Sequence, residues 1–156
     1  MVLKNLRKNL GEVGEAAMRL TTKGRYAVMA LADLAKHAEG NPVTLAQIAE
    51  RQEISLSYLE QLFARLRKAG LVRSVRGPGG GYCLGLPAEE TWIADIIRAV
   101  DEPIRVTSCE PGSPDGCRMD HGRCITHDLW ERLGRHVHSY LSSVSLADVC
   151  ERRLQE

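Results

Sequence analysis

The sequence lacks any long apolar run, and that absence argues against a membrane-spanning protein. Of its 156 residues 44% are hydrophobic and 26% charged, and no stretch approaches the roughly 20 apolar residues that a membrane helix needs. Residues 1–17 also lack the uninterrupted apolar segment and cleavage pattern of a secretory signal. We therefore expect a cytoplasmic protein with reduced thiols, in which five cysteines favour metal binding or redox sensing over disulfides.

The net charge of +1 hides a contrast between the two halves of the chain. Residues 18–86 contain ten Lys and Arg against five Asp and Glu, a net of +5, whereas residues 87–156 contain eight against thirteen, a net of −5. The basic first part favours a polyanion such as DNA as its partner. The acidic second part suits a cation or a subunit contact.

Capping residues and hydrophobic spacing predict helices in the first half. The first covers residues 21–38, with Asp33 expected outside its apolar face. Residues 40–42 read Gly-Asn-Pro and break this helix. Thr44 and Gln47 then form a capping-box pair at the start of a short second helix.

A third helix follows, and either Ser55 or Ser57 can cap it. Its buried stripe is formed by four apolar residues spaced three and four apart: Leu59, Leu62, Phe63 and Leu66. Polar side chains near its start are expected to face outward: Ser57, Tyr58, Glu60, Gln61 and Arg65. A short helix, a tight turn and a helix with a polar N-terminal face are typical of a helix-turn-helix.

Two short alternating segments, residues 71–76 and 82–84, flank the glycine-rich turn 77–81 and predict a β-hairpin wing. The turn lacks the following Lys-Ser/Thr pair of a phosphate-binding loop, which argues against a nucleotide site. A wing whose bare backbone and Arg76 approach DNA fits these residues better. An ordinary hairpin tip is the alternative.

Beyond the wing the pattern predicts three more helices. One covers residues 91–100, and a long one begins beyond His127, with apolar residues recurring every three or four positions. Because few elements remain to cover that apolar stripe, it favours a two-fold homodimer. Ser145 and Asp148 form a capping-box pair for a final short helix.

The predicted fold class is mainly α with a small β-hairpin wing: a winged helix-turn-helix domain, a long dimerisation helix and a ligand-bearing loop. The winged half would have no role in an enzyme, so no catalytic residues are predicted. Five segments are expected: a flexible N-terminal extension (1–17), the winged helix-turn-helix domain (18–86), a linking helix (87–104), the ligand-bearing loop (105–127), and the dimerisation helix with the C-terminal tail (128–156).

The loop carries four soft or borderline metal ligands: Cys109, Cys117, Cys124 and His127. Such ligands favour zinc, copper or an iron–sulfur cluster over calcium and magnesium. Their spacing, Cys-x7-Cys-x6-Cys-x2-His, has one short pair and leaves zinc and an iron–sulfur cluster equally open. His121 competes for the fourth position, but residues three apart at a helix start share a face, which favours His127. Cys83 and Cys150 are expected to be small buried hydrophobic residues.

Three motifs carry a resemblance to a known family. The runs MRLTTKGRYAV (18–28), ISLSYLEQLF (54–63) and VRGPGGGY (75–82) are similar to those of the Rrf2 family of bacterial transcription regulators. The three loop cysteines, followed by Thr126 and His127, resemble the members of that family that hold an iron–sulfur cluster. Residues 1–17 fall outside the resemblance.

The resemblance implies a regulator of cluster-biogenesis genes that binds a roughly palindromic DNA operator as a homodimer. It also implies one 2Fe-2S cluster per subunit, supplied by cluster-assembly proteins and held by Cys109, Cys117, Cys124 and His127. Cys109 and Cys117 are farther apart here than in the family pattern, so the resemblance predicts the ligands but not the loop conformation.

Residues of the third helix and the wing are expected to contact DNA: Ser55, Ser57, Tyr58, Glu60, Gln61, Arg65, Arg76, Pro78 and Gly79. Within the family, the glutamate corresponding to Glu60 is associated with discrimination between two operator types. Three other functions remain open: a zinc-stabilised winged-helix repressor, an Rrf2-type regulator that senses nitric oxide or iron, and a cluster-containing redox protein.

Overall fold

The structure, a computed structural model, describes residues 22–100 and 122–154. The predicted extension 1–17 and the predicted ligands Cys109 and Cys117 lie outside the described residues. None of the described helices combines the length and the apolar character that crossing a bilayer requires. The described residues fall into two compact units: one contains residues 122–134, and the other contains residues 22–100 and 135–154.

The larger unit begins with three helices: α1 (Thr22–His37), α2 (Leu45–Gln52) and α3 (Leu56–Lys68). The predicted capping box of α2 is confirmed, because the Thr44 side chain accepts from the Gln47 backbone N–H while the Gln47 side chain accepts from that of Thr44. The structure also shows which of the two candidate serines caps α3. Ser55 caps the helix, with its Oγ accepting from the Tyr58 N–H at 3.3 Å, and Ser57 lies inside the first turn.

The core of this unit forms where α1, α3 and the later helix α4 meet. The predicted stripe of α3 is confirmed in full, since Leu59, Leu62, Phe63 and Leu66 are all buried. Burial of one such large apolar side chain contributes about 1.5–3 kcal/mol relative to leaving it in water. The stripe therefore fixes which face of α3 points inward and leaves its polar face outside.

The predicted wing is an antiparallel hairpin of β1 (Val72–Val75) and β2 (Gly81–Leu84). Val43, between α1 and α2, extends this hairpin by exchanging backbone hydrogen bonds of 2.9 and 2.8 Å with Tyr82. The approach requires glycine at position 81, because a Cβ there would lie 2.5 Å from the Val43 carbonyl oxygen. The Tyr82 ring packs edge-on against Phe63, with centroids 4.9 Å apart. These contacts hold the wing against the helix-turn-helix.

The chain continues through a 3₁₀ turn and three more helices: Ala88–Glu90, α4 (Ile93–Ala99), α5 (His127–Ser143) and α6 (Leu146–Cys150). The start of α4 is joined to the end of α5 by a short antiparallel bridge. The Ile93 N–H donates to the Val144 carbonyl at 3.0 Å, and the Leu146 N–H donates to the Thr91 carbonyl at 2.7 Å. The predicted capping box of α6 is also confirmed, because Ser145 and Asp148 exchange backbone-to-side-chain hydrogen bonds.

The prediction that Asp33 lies outside the buried face of α1 is wrong. Its carboxylate is fully buried, and α2 supplies the donors that satisfy it. Arg51 donates to both carboxylate oxygens, with its Nη2 2.6 Å from Oδ1, and Gln52 Nε2 donates to Oδ2 at 2.7 Å. Burial acts to raise the pKa of Asp33, but the hydrogen bonds from Arg51 and Gln52 hold it below its ordinary value.

The two cysteines outside the ligand loop are half-buried, whereas they were expected to be buried. Burial raises the pKa of the Cys150 thiol, and its Sγ lies 3.7 Å from the Ala32 carbonyl oxygen, to which it donates. Cys83 lies on β2 opposite Arg73. Cys150 packs against the edge of the core, whereas Cys83 is not among the described residues that contact it.

Candidate functional site

The polar face of α3 lies at the surface of the larger unit. Ser57, Glu60 and Gln61 are exposed, and their positions on the first two turns place them together at the start of the helix. Ser55 is also exposed, but its Oγ already caps α3. The helix therefore presents hydroxyl, carboxylate and amide groups to solvent, which are the groups that read base edges in a major groove.

Tyr58 differs from its neighbours on this face because it is half-buried. Its ring packs edge-on against Tyr26 of α1, with centroids 5.9 Å apart and an interplanar angle of 82°. The contact joins the first turn of α3 to α1. Tyr58 thus supports the exposed face as well as bordering it.

Arg65 is exposed, yet its guanidinium is directed at the end of α4. Its Nη1 donates to the carbonyl oxygen of Val100 at 3.3 Å, and Val100 is fully buried. This contact connects residues 35 positions apart, so helix periodicity could not reveal it. The sequence identified Arg65 as a cation near DNA but missed its partner within the protein.

The wing tip brings Arg76, Pro78 and Gly79 to the surface, as expected of residues that approach DNA. Gly77 and Gly79 have φ angles of 98° and 71°, which favour glycine. The Gly80 N–H donates to the Gly77 carbonyl at 2.9 Å and closes the turn. The tip is therefore a tight loop with little side-chain bulk, able to bring its backbone close to another molecule.

Exposed basic side chains continue from α3 into the wing: Arg65, Arg67, Lys68, Arg73 and Arg76. Such a series suits the phosphate backbone of DNA. Arg51 is not part of it, because its guanidinium is engaged by Asp33. Other exposed basic side chains of the first half lie on α1, at Lys23, Arg25 and Lys36.

The second candidate site is the turn that begins α5. His127 is the first residue of this helix, and its backbone N–H donates to the Cys124 carbonyl at 3.0 Å. One turn therefore carries both a thiol and an imidazole, donor types that zinc, copper and iron–sulfur clusters accept. Cys124 is half-buried, and its Sγ lies 3.5 Å from the Thr126 hydroxyl oxygen.

Carboxylates next to His127 were missed by the sequence reasoning. His127 Nε2 lies 3.9 Å from Glu131 Oε2, and ligand atoms of His127, Asp128 and Glu131 lie within 4.8 Å of one another. The spacing of four between His127 and Glu131 was the signal that could have revealed this neighbour. The competing candidate His121 lies outside the described residues.

Comparison with known proteins identifies the family. A family model named Rrf2 and described as an iron-dependent transcriptional regulator matches residues 20–152. The chain belongs to the Rrf2 family. It is 54% identical over 136 residues to the HTH-type transcriptional regulator IscR of Xenorhabdus nematophila, covering 87% of this chain and 81% of that relative.

Solved structures of Rrf2-type regulators agree with this assignment. IscR from T. potens is 38% identical and matches with a TM-score of 0.71, covering 90% of this chain and 92% of that one. CymR, the global cysteine regulator of B. subtilis, is 36% identical and also matches with a TM-score of 0.71, covering 86% and 97% of the two chains. The predicted fold, mainly α with a β-hairpin wing, is confirmed.

Proposed function

We propose that this Rrf2-family DNA-binding regulator is a homodimer that senses iron–sulfur cluster supply and controls the genes of cluster biogenesis. The observation that carries the proposal is that two of the four candidate ligand residues, Cys124 and His127, lie on one turn at the start of α5, joined by a backbone hydrogen bond. Relatives that are 54% and 56% identical to this chain over the matched residues bear the name IscR, and the similarity extends over most of their length.

The proposed cofactor is one 2Fe-2S cluster per subunit, received from cluster-assembly proteins and held by Cys109, Cys117, Cys124 and His127. Such a group supplies a redox-active centre whose presence depends on iron and sulfide. An imidazole among three thiolates makes the ligand set less negative and the centre easier to lose, which suits a sensor.

The exposed residues of α3 and the wing are proposed to read and grip the operator. Gln61 can pair with adenine, and Glu60 can accept a hydrogen bond from cytosine. The cap residue Ser55 and the α3 residues Ser57, Tyr58 and Arg65 border that contact. We propose that Arg76 enters a minor groove and that the wing backbone at Pro78 and Gly79 approaches the phosphates.

The proposed dimer is supported by the surroundings of α5. Within the described chain no residue of this helix is buried, and Leu129 and Tyr140 remain 58% and 49% exposed. An apolar stripe in that state is stabilised when a second copy covers it. A two-fold dimer would place two recognition helices on half-sites about one helical turn apart. We also propose the five-segment division of the chain, with a ligand-bearing loop at 105–127.

The cofactor is tested by purifying the protein without oxygen and measuring its visible absorption, iron and sulfide. We expect the visible bands of a cluster, with iron and sulfide in equal amounts. Replacing Cys109, Cys117 and Cys124 together with Ala should remove the absorption, while the matched double variant Cys83→Ala and Cys150→Ala should keep it. A coloured triple variant would refute the ligand assignment. A colourless wild type containing zinc would establish the zinc-stabilised repressor instead.

The sensing role is tested by comparing the affinities of the cluster-loaded and cluster-free protein for operator DNA. We expect the two forms to differ by roughly one to two decades, the usual size of coupling between two sites. The difference should persist in Cys83→Ala. Equal affinities would refute sensing while leaving DNA binding intact.

A further inference from the structure

We propose that Arg65 is a positioning residue that couples the recognition helix α3 to the ligand-bearing region, through its hydrogen bond to the end of α4. This inference rests on the proposed function. Its starting point is the contact from Arg65 Nη1 to the Val100 carbonyl, which is 3.3 Å long and ends on a fully buried residue. Arg65 lies one turn beyond Gln61 on α3. The residue that is hydrogen-bonded to the end of α4 is therefore a neighbour of the residues proposed to read DNA.

Helix α4 is connected to both ends of the ligand-bearing region. The chain leaves its C-terminal end at Val100 and enters residues 101–121, which carry Cys109 and Cys117. The chain returns through α5, whose first residue is His127.

The return connection reaches the other end of α4. After α5, the Val144 carbonyl accepts from the Ile93 N–H and the Leu146 N–H donates to the Thr91 carbonyl, at 3.0 and 2.7 Å. A rearrangement that accompanies gain or loss of the cluster can therefore reach α4 from either side along the chain.

Helix α4 can pass such a change on because it is packed into the core. Ile93, Ile96 and Ile97 are buried in the same cluster as Leu62 and Leu66 of α3. Tightly packed elements shift between discrete arrangements and do not deform continuously. The bond from Arg65 adds a directional contact to this apolar packing, since a displaced Val100 carbonyl must either break the bond or draw the side chain and its helix along.

Two simpler roles for Arg65 make different predictions. A pure phosphate contact would weaken DNA binding equally with and without the cluster, and its loss would lower the slope of log affinity against log salt by about one. A purely structural role would lower the unfolding midpoint and leave the ratio of the two affinities unchanged. Coupling alone changes that ratio, which is its thermodynamic definition.

The experiment compares Arg65→Gln and Arg65→Lys with the matched control Arg67→Gln, an equal charge change at an exposed position of the same helix. Operator affinity is measured for cluster-loaded and cluster-free protein at several salt concentrations, and the unfolding midpoint is recorded for each variant. In the wild type and in Arg67→Gln we expect the affinities to differ by roughly 10- to 100-fold. In Arg65→Gln we expect that ratio to fall below about threefold.

Arg65→Lys separates charge from geometry. Lysine keeps the positive charge that phosphate contacts need but lacks the planar guanidinium, so the ratio should fall while the salt slope stays that of the wild type. By linkage, operator DNA should change the equilibrium affinity of the wild type for its cluster and should have much less effect on that affinity in Arg65→Gln. This second readout does not depend on DNA affinity measurements.

The outcomes distinguish this inference from the function on which it rests. A wild type without cluster absorption, or with equal affinities in the two forms, would refute the proposed function and this inference with it. A wild type with both properties, and an Arg65→Gln variant that keeps the full ratio, would overturn this inference alone.

Discussion

Helices α1 and α5 have 16 and 17 residues, and both carry an apolar stripe, but their surroundings differ. Helix α1 buries six residues, because α2, α4, β2 and α6 pack around it. Helix α5 buries none of its residues within the described chain. An amphipathic pattern therefore specifies a helix with one apolar face. Which element covers that face depends on residues elsewhere in the protein.

The largest expected difference comes from the same substitution on both helices. Leu31 of α1 is fully buried, so Leu31→Ala should reduce the free energy of unfolding by about 2–5 kcal/mol. Leu129 of α5 is 58% exposed, so Leu129→Ala should cost less than about 1 kcal/mol in dilute, monomeric protein. Urea denaturation at low protein concentration measures both.

Protein concentration then tests the dimer within the same pair of variants. The cost of Leu129→Ala should grow as concentration rises, because association stabilises only the form with an intact α5 stripe. The cost of Leu31→Ala should not change. A cost for Leu129→Ala that is independent of concentration would argue against α5 as the dimer helix.

A second prediction concerns the buried carboxylate of Asp33 on α1, which is bound by Arg51 of α2. Asp33→Asn should cost about 2–3 kcal/mol near neutral pH, because it leaves Arg51 without its carboxylate partner, and Arg51 is partly exposed. The folded-state pKa of Asp33 is lowered, so its contribution is present above the unfolded value of about 3.9 and is lost as pH falls through the folded value. Denaturation curves should show that the difference in free energy of unfolding between wild type and Asp33→Asn is smaller near pH 3 than at neutral pH.

The control for this prediction is Asp95→Asn. Asp95 forms an ion pair with Arg98 on the surface of α4, and such exposed pairs contribute about 0–1 kcal/mol. If the difference in free energy of unfolding between wild type and Asp33→Asn grew toward acid pH, the assignment of a charged, hydrogen-bonded Asp33 would be contradicted.

A third prediction distinguishes two serines at the start of α3, the proposed recognition helix. Ser55→Ala should reduce stability by about 1 kcal/mol, because it removes the cap of α3. Ser57→Ala, inside the helix and exposed, should change stability by less than about 0.5 kcal/mol. Thermal unfolding of both variants measures the difference, and equal losses would contradict the observed cap.

The smallest expected effect lies in the ligand-bearing turn. Thr126→Val removes a hydroxyl 3.5 Å from the Cys124 sulfur while keeping the side-chain shape. Since hydrogen bonds to ligand sulfurs help set the potential of an iron–sulfur centre, we expect a lower reduction potential with little change in stability. Redox titration checks this against Thr126→Ser, which keeps the hydroxyl. Identical potentials in all three proteins would show that the hydroxyl has no such effect.

Local patterns predicted much of the larger unit. The buried stripe from Leu59 to Leu66 and the two capping boxes follow from spacings of three and four residues, which the helix geometry itself imposes. The wing followed from alternation around a glycine-rich turn. Asp33 was misplaced because its partners lie 18 and 19 residues away on α2, beyond the reach of any local pattern.

The sequence by itself determined which segments become helices or strands and where several of them begin. These properties depend on neighbours within about one helical turn. Only the tertiary structure decided that Arg51 and Gln52 donate hydrogen bonds to the Asp33 carboxylate and that Arg65 donates to the Val100 carbonyl. It also decided that the end of α5 is hydrogen-bonded to the start of α4. Those contacts join distant parts of the chain, and the packing of helices, not the spacing of residues, brings them together.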